Sequence, residues 1–434
     1  MKTSVVLPTT SNAAAELSRN RGEPSWMTDL RLCALELAGE LELPELEKTR
    51  IDRWSLDSYG LYHTPELLDN YNDLPEKVKE LIGGNPNSNP VMVHRDSGLL
   101  WKNQTGTLEE QGVIFTDMET ALREHEALVH THFMSVVKAD EDRLTALHAA
   151  LWSGGVFLYV PRNVEVTVPL QAIFQSEHSD ATFAPHILII AEDNSSVVYV
   201  DHYVSGRNNN AVHNGVVEVV VKPGARVHVA SVHNLSGETT ALIYRRAMLD
   251  NDAIMQWTIG ELNAGNTMSD TSSILKGNGS RSDAKVISIG TGAQKLNLTT
   301  RAIHYGRNTP SDMLVKAVVQ DEATAIINGY TRIEKGASGA DAGQTERLLM
   351  LSDLARGDAN PILLIDENDV YAGHGASIGK IDAEQIYYMM SRGVTRRDSE
   401  RLIILGFLLS IIQEIPLKHI EEQLYDWIER KLRN

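Results

Sequence analysis

Fifteen histidines and a single cysteine, Cys33, bound the chemistry that this 434-residue chain can carry. One thiol cannot build a C-x-x-C pair or a thiolate cage for zinc or an iron–sulfur cluster, so any metal chemistry must lean on His, Asp and Glu. Nucleotide hydrolysis through a phosphate-binding loop is excluded, because the nearest segment, GNGSRSDAK (277–285), has neither the glycine spacing nor the lysine placement. No G-x-S-x-G elbow and no H-E-x-x-H pair occurs. His125, His130 and His132 in EHEALVHTH lack the i, i+4 spacing of a helical metal site and read as solvated. His228 and His233 stand five apart on an expected strand and so face opposite ways. His374 differs: Gly373 and Gly375 flank it, and the acidic turn Asp366, Glu367 and Asp369 precedes it. Small neighbours allow close approach to the imidazole, and an imidazole near carboxylates suits iron, zinc or proton transfer, although a structural turn histidine is the simpler reading. In Tyr244-Arg245-Arg246, one exposed arginine and one in a structural ion pair is the plain expectation, and Lys316 and Arg332 are read the same way.

The elements that must position these residues fall into three regions. Residues 1–153 are helical and mixed: Trp26–Glu47 and, less cleanly, Leu67–Ile82 space apolar residues three and four apart, Val91–Trp101 reads as extended, and Met118–Val137 and Asp140–Ser153 resume the helical period up to a Gly154-Gly155 stop. Residues 154–381 carry short β-branched runs such as VFLYV, VEVTV, HILII, SVVYV, GVVEVVV, MLVKAVV and PILLI, punctuated by Asn, Gly, Pro and Asp turns. No long helical period interrupts them, which excludes an alternating α/β fold. Irregular recurrence at roughly 9 to 15 residues fits a parallel β-helix, in which each coil covers the apolar face of the last. Residues 382–434 return to helix, with Asp382 and Thr395 as N-caps, Gly393 as a stop and Pro416 opening a last amphipathic segment. A bundle this small is expected to need the solenoid end or a partner.

A net charge of −18 opposes binding to nucleic acid or an anionic membrane. The apolar run near the start is too short for a signal peptide, Leu402–Ile412 is too short to span a bilayer, and a lone cysteine suits a reducing cytoplasm.

Three segments, SGGVFLYVPRNVEVTVPLQ (153–171), RGDANPILLIDENDVYAGHGASIGKID (356–382) and YYMMSRGVTRRDSERLIILGFL (387–408), resemble the SufB/SufD family of iron–sulfur cluster assembly proteins, with the match running over nearly the whole chain. The resemblance implies a mainly β architecture: a right-handed parallel β-helix between an N-terminal mixed region and C-terminal helices. It implies an end-to-end heterodimer of the β-helix with SufB, and docking of the SufC ATPase on the C-terminal helices. There the candidate contacts are Tyr388, Met389, Ser391, Arg392, Gly393, Arg401, Leu405 and Phe407. The histidine of the family's S/G-H-G-A-S/T motif maps onto His374, a candidate metal ligand shared with SufB. Some family members carry a cysteine two residues earlier, but this chain has Ala372. With Cys33 alone, in an expected N-terminal helix, it cannot supply the scaffold cysteine of SufB and matches the SufD side of the family. The expectation is therefore a non-enzyme with no catalytic residues and no stably bound cofactor, handling iron or a transient cluster only at a shared interface. A homodimer in the absence of SufB is left open. The alternatives are a SufB-like scaffold acting alone and, from another class, a β-helix carbohydrate-active enzyme, against which the helical C-terminus argues.

Overall fold

The computed structural model describes residues 9–56, 59–85, 89–103, 106–206 and 212–433. The start of the chain, residues 1–8, read above for a signal peptide, lies outside them. The N-terminal region comprises α1 (Ser11–Asn20), α2 (Ser25–Glu40), α3 (Glu76–Ile82), β1 (Val91–Arg95), β2 (Gly98–Asn103), α4 (Gly106–Glu110), β3 (Ile114–Asp117), α5 (Met118–Glu124), α6 (Glu126–His132) and α7 (Arg143–Leu151). Met27, Arg31, Ala34, Leu35 and Ala38 recur on one face of α2 and bury it among the same apolar cluster as α7, which is buried from Leu144 to Leu151. Asp142 and Thr145 close a reciprocal capping box on α7. Arg31 is the polar pin: it is paired to Glu23 at 2.7 Å and donates to the Ala150 carbonyl at 2.9 Å. The expected helices are shortened where their own residues dictate. α2 stops at Glu40, where Leu41 turns extended, α3 begins only after Pro75, and the Met118–Val137 segment breaks at His125.

Sixteen strands then wind as eight coils, each adding one strand to each of two sheets. The pairs are β4 (Gly155–Val160) with β5 (Leu170–Ser176), β6 (His186–Ala191) with β7 (Ser196–Ser205), β8 (Val212–Val221) with β9 (Arg226–Asn234), and β10 (Thr240–Leu249) with β11 (Ile254–Glu261). They continue as β12 (Thr267–Leu275) with β13 (Arg281–Gly290), β14 (Lys295–His304) with β15 (Pro310–Val319), β16 (Thr324–Ile333) with β17 (Asp341–Met350), and β18 (Arg356–Ile365) with β19 (Tyr371–Gly379). Odd strands from β5 to β19 pair in parallel in one sheet and even strands from β4 to β18 in the other, so the chain is a parallel β-solenoid as expected. The coil repeat is 30 residues in the pairings Ser196↔Arg226 and Asp341↔Tyr371. At one end β1 joins β5 in parallel, and the antiparallel strands β2 and β3 terminate the two sheets. Non-glycine residues with left-handed backbone, among them Asn163, Asn194, Asp252 and Asn308, recur at the corners. Gly224, at φ +68°, sits where a Cβ would lie 2.4 Å from the Asn194 side chain, so this corner needs glycine twice over.

One strand expectation fails, and four strands were not anticipated. VEVTV forms no strand, and only Glu165 bridges, to Ser196 of the next coil. Conversely β5, β12, β17 and β19 carry too many small or polar residues to read as strands. Neighbouring coils hold them by main-chain pairing on both sides, or on one side at β19. Inside the lumen, fully buried Arg245 pairs with Glu261 at 2.9 Å and donates to Ser269. Arg245 is the buried structural pair of the two arginines, whereas Arg246 also is paired, to Glu141.

The chain ends in α8 (Ala383–Ser391), α9 (Arg396–Ile412) and α10 (Lys418–Arg433). Asp382 and Thr395 act as the expected N-caps, and Gly393 adopts φ +88° at the stop. The helices do not sit on the solenoid end. Ile404, Leu408, Ile412, Leu424 and Ile428 cluster with outward residues of the odd-strand sheet, including Val200, Ala230, Val232, Ile287 and Val318. A sheet face that would otherwise expose β-branched side chains is thereby covered. Lysines pin this face: Lys316 donates to the Phe407 carbonyl at 2.6 Å and to Ser410 Oγ at 2.8 Å, and Lys285 pairs with Glu414 at 2.7 Å. Among the described residues no helix is long and apolar enough to cross a membrane.

Candidate functional site

The solenoid closes at one end and stays bare at the other. β18 and β19 are the last strands of their sheets, so each leaves one main-chain edge unpaired among the described residues. Leu364, Ile365, Tyr371 and Ile378 are exposed there, Tyr371 by 77 %. His374 lies in β19 and not in a turn: the glycines and the acidic run suggested a turn, but β17 holds the segment in register from Asp341↔Tyr371 to Leu349↔Gly379. Its register partner is Gln344, which is buried, as are Ala342, Glu346 and Leu348 two residues apart along β17. His374 therefore occupies the lumen-facing row and is exposed because no further coil covers it. An added Cβ at Gly373 or Gly375 would meet nothing within 4 Å, so the approach to the imidazole is open.

One coil below, Glu346 is 1 % exposed, and burial pushes its carboxyl up to about 7 against the opposing pull of a backbone N–H. Gln344 donates to Thr331 Oγ1 and to the Ile362 carbonyl at 3.1 Å. Neither residue was singled out in the sequence, since DAGQTERLLM lacks the β-branched runs that mark the other strands. The usable signal was the alternation Ala342, Gln344, Glu346, Leu348.

The other candidate residues form a second surface, joined to β19 by residues 380–382. Tyr388 is 59 % exposed with the Arg392 guanidinium 5.3 Å from its ring centre, and Ser391 at the end of α8 and Arg392 and Gly393 in the turn after it are exposed. Tyr387 and Met390 of α8 and Leu402 of α9 are also exposed, so this flank presents apolar side chains beside Arg392. Met389 is half-buried beside a groove lined by Asp382, Gln385, Tyr388 and Ile403. Arg401 reaches across to Glu429 of α10 at 3.1 Å. Leu405 and Phe407 pack toward the solenoid face, with Lys316 5.2 Å from the Phe407 ring centre, so they hold α9 down more than they meet a partner. A cleft of about 720 Å³ separates α8 and α9 from the coil at Gln320, Met350 and Lys380.

Among the described residues no three His, Cys, Asp or Glu side chains converge as a metal site. A solenoid with a bare end, one lumen-facing histidine there and a helical flank with exposed apolar side chains is a scaffold that presents surfaces. The chain belongs to the SufB/SufD family of iron–sulfur cluster assembly proteins. The family model described as SUF system FeS cluster assembly, SufBD core domain, matches residues 173–407, and the SufBD protein N-terminal region matches 88–172. It is 44 % identical over 420 residues to the iron–sulfur cluster assembly protein SufD of Bacillus subtilis (strain 168), covering 96 % of each chain. An iron–sulfur cluster assembly SufBD family protein of Staphylococcus epidermidis (strain ATCC 12228) is 29 % identical over 423 residues, covering 95 % of this chain and 91 % of that one. A relative in Staphylococcus aureus (strain USA300) is 28 % identical over 427 residues. The SufD-side assignment made from the segments and the cysteine count agrees with the Bacillus relative, and the carbohydrate-active reading falls away.

Proposed function

We propose that this chain is the dependent half of a composite iron–sulfur assembly site, a non-enzymatic subunit that works in the cytoplasm with SufB and the SufC ATPase. The observation that carries this reading is the bare coil at β18 and β19, with unpaired edges, exposed Leu364, Ile365, Tyr371 and Ile378, and His374 in the lumen row. Exposed strand edges recruit another strand, and a second solenoid continuing the stack satisfies them. The partner supplies the thiolate that β19 lacks, while His374 offers the imidazole; iron or the nascent cluster is cargo at that junction and is not held by this chain alone. SufC docks on the patch of Tyr388, Met389, Ser391, Arg392 and Gly393. ATP-driven movement passes through Arg401, Leu405 and Phe407 to the solenoid flank, where Lys316 and Lys285 fasten the helices. Co-purification of the chain with SufB and SufC, with and without residues 382–434, tests it. Truncation is expected to lose SufC; no association of the full chain with either protein overturns the reading. Without SufB, the same edges are expected to pair two copies.

A further inference from the structure

We propose that Glu346, with Gln344 beside it, is a second binding point for a divalent transition-metal cation entering at the bare end, one coil beneath His374. This rests on the reading of that end as the metal-handling junction. Going inward along the two rows, Gln344 and Glu346 are followed by Met313 and Val315 of β15, so the polar pair sits only where the lumen opens. Glu346 Oε2 and Gln344 Oε1 are buried, and neither has a hydrogen-bond partner among the described residues. Gln344 is 2 % and Glu346 1 % exposed. The amide nitrogen of Gln344 is committed to Thr331 and Ile362, which fixes its oxygen as the free group.

Both side chains converge on one point across the lumen. A Cβ on Gly329 of β16 would lie 2.0 Å from Glu346 Oε1 and 2.9 Å from Gln344 Oε1, so glycine at 329 makes the room these oxygens occupy. The coil above is thin at this place: Ala376 stands over Glu346 in the register, His374 over Gln344, and Pro361 over Gly329. With strands about 4.8 Å apart and two residues spanning about 6.6 Å, the Cα atoms of His374 and Glu346 lie about 8 Å apart, within reach of one shared ion. Buried carboxylates are normally matched by a donor or a cation, and a carboxylate, an amide oxygen and an imidazole suit ferrous iron or a similar ion. Three protein groups leave positions for the partner's thiolate.

The test uses the chain assembled with SufB and SufC and titrates Co²⁺, read by its visible absorption, on Glu346→Gln, Gly329→Ala and His374→Ala. Glu346→Gln is expected to weaken Co²⁺ binding at least ~tenfold with the thermal midpoint unchanged or raised, because it keeps the shape and removes a buried charge. Gly329→Ala, whose methyl displaces the carboxyl, is expected to do the same, and it decides the matter if Glu346→Gln does not assemble. If His374→Ala weakens binding and neither of the others does, the role of Glu346 is refuted and the junction reading stands. If none of the three changes binding, both fail.

Discussion

Replacing Lys316 by methionine should loosen the C-terminal helices without touching the solenoid. The ammonium donates to the Phe407 carbonyl at 2.6 Å and to Ser410 Oγ at 2.8 Å, and the side chain is 8 % exposed. Hydrogen bonds from a charged donor contribute about 1.5–3 kcal/mol each, so the gross loss is roughly 3–6 kcal/mol. Most of it is offset. A carbonyl inside a helix keeps its own amide partner, Ser410 is exposed to water, and the methionine stem preserves the apolar contact while removing a charge that burial disfavours. A net loss of about 1–2 kcal/mol remains, equivalent to a roughly 5–30-fold rise in the open population. Hydrogen exchange on the full chain reads this directly: amides of α8 and α9 should exchange faster by that factor, while β6 and β8, in the other sheet, should not change. Equal acceleration throughout the solenoid, or none in α9, would refute the idea that Lys316 fastens a separable flank. In the assembled complex the same variant should keep SufC bound and uncouple its ATP turnover from cluster delivery.

Two further outcomes follow from buried carboxylates and the groups that bond to them. Glu218 of β8 accepts from the backbone amides of Met134, Val136 and Val137 at 2.6, 2.6 and 2.9 Å. Glu218→Ala strands three buried donors, and at about 1–3 kcal/mol each the loss should be at least ~3 kcal/mol. Urea unfolding measures it, and a loss under ~1 kcal/mol would mean that these amides find other partners. His178 is 2.6 Å from Asp96, and that hydrogen bond raises the imidazole pKa above its ordinary value. The folded state therefore binds the proton more tightly than the unfolded chain: the contribution is complete below the unfolded value of ~6.5 and fades as pH rises through the folded one. Limited proteolysis near residues 177–181 should be slower at about pH 6 than at about pH 8, and His178→Gln should abolish the difference. A variant with the same pH slope would assign it to another group.

How much was legible depends on where the physical cause lies. Helix caps are local: Asp382, Thr395 and Gly393 act as their sequence context indicates, since each bond spans two or three residues. Strands such as β6, and β8 apart from Glu218, were legible as apolar runs because both of their faces are buried, one in the lumen and the other under N-terminal elements. β17 and β19 were not, because polar and small residues become strand only when a neighbouring coil supplies the hydrogen bonds.

By itself the sequence determined the class of fold, the helical ends, the family and the lack of a second thiol, since composition, periodicity and long motifs carry these without reference to distant residues. Only the tertiary structure decided that His374 shares a lumen row with Gln344 and lies one coil above Glu346, that the C-terminal helices cover a flank and leave the end bare, and that Leu405 and Phe407 face inward. The reason is the parallel stack. Its register joins residues about one coil, 30 positions, apart, as at Gln344↔His374, and no local pattern encodes which of them meet.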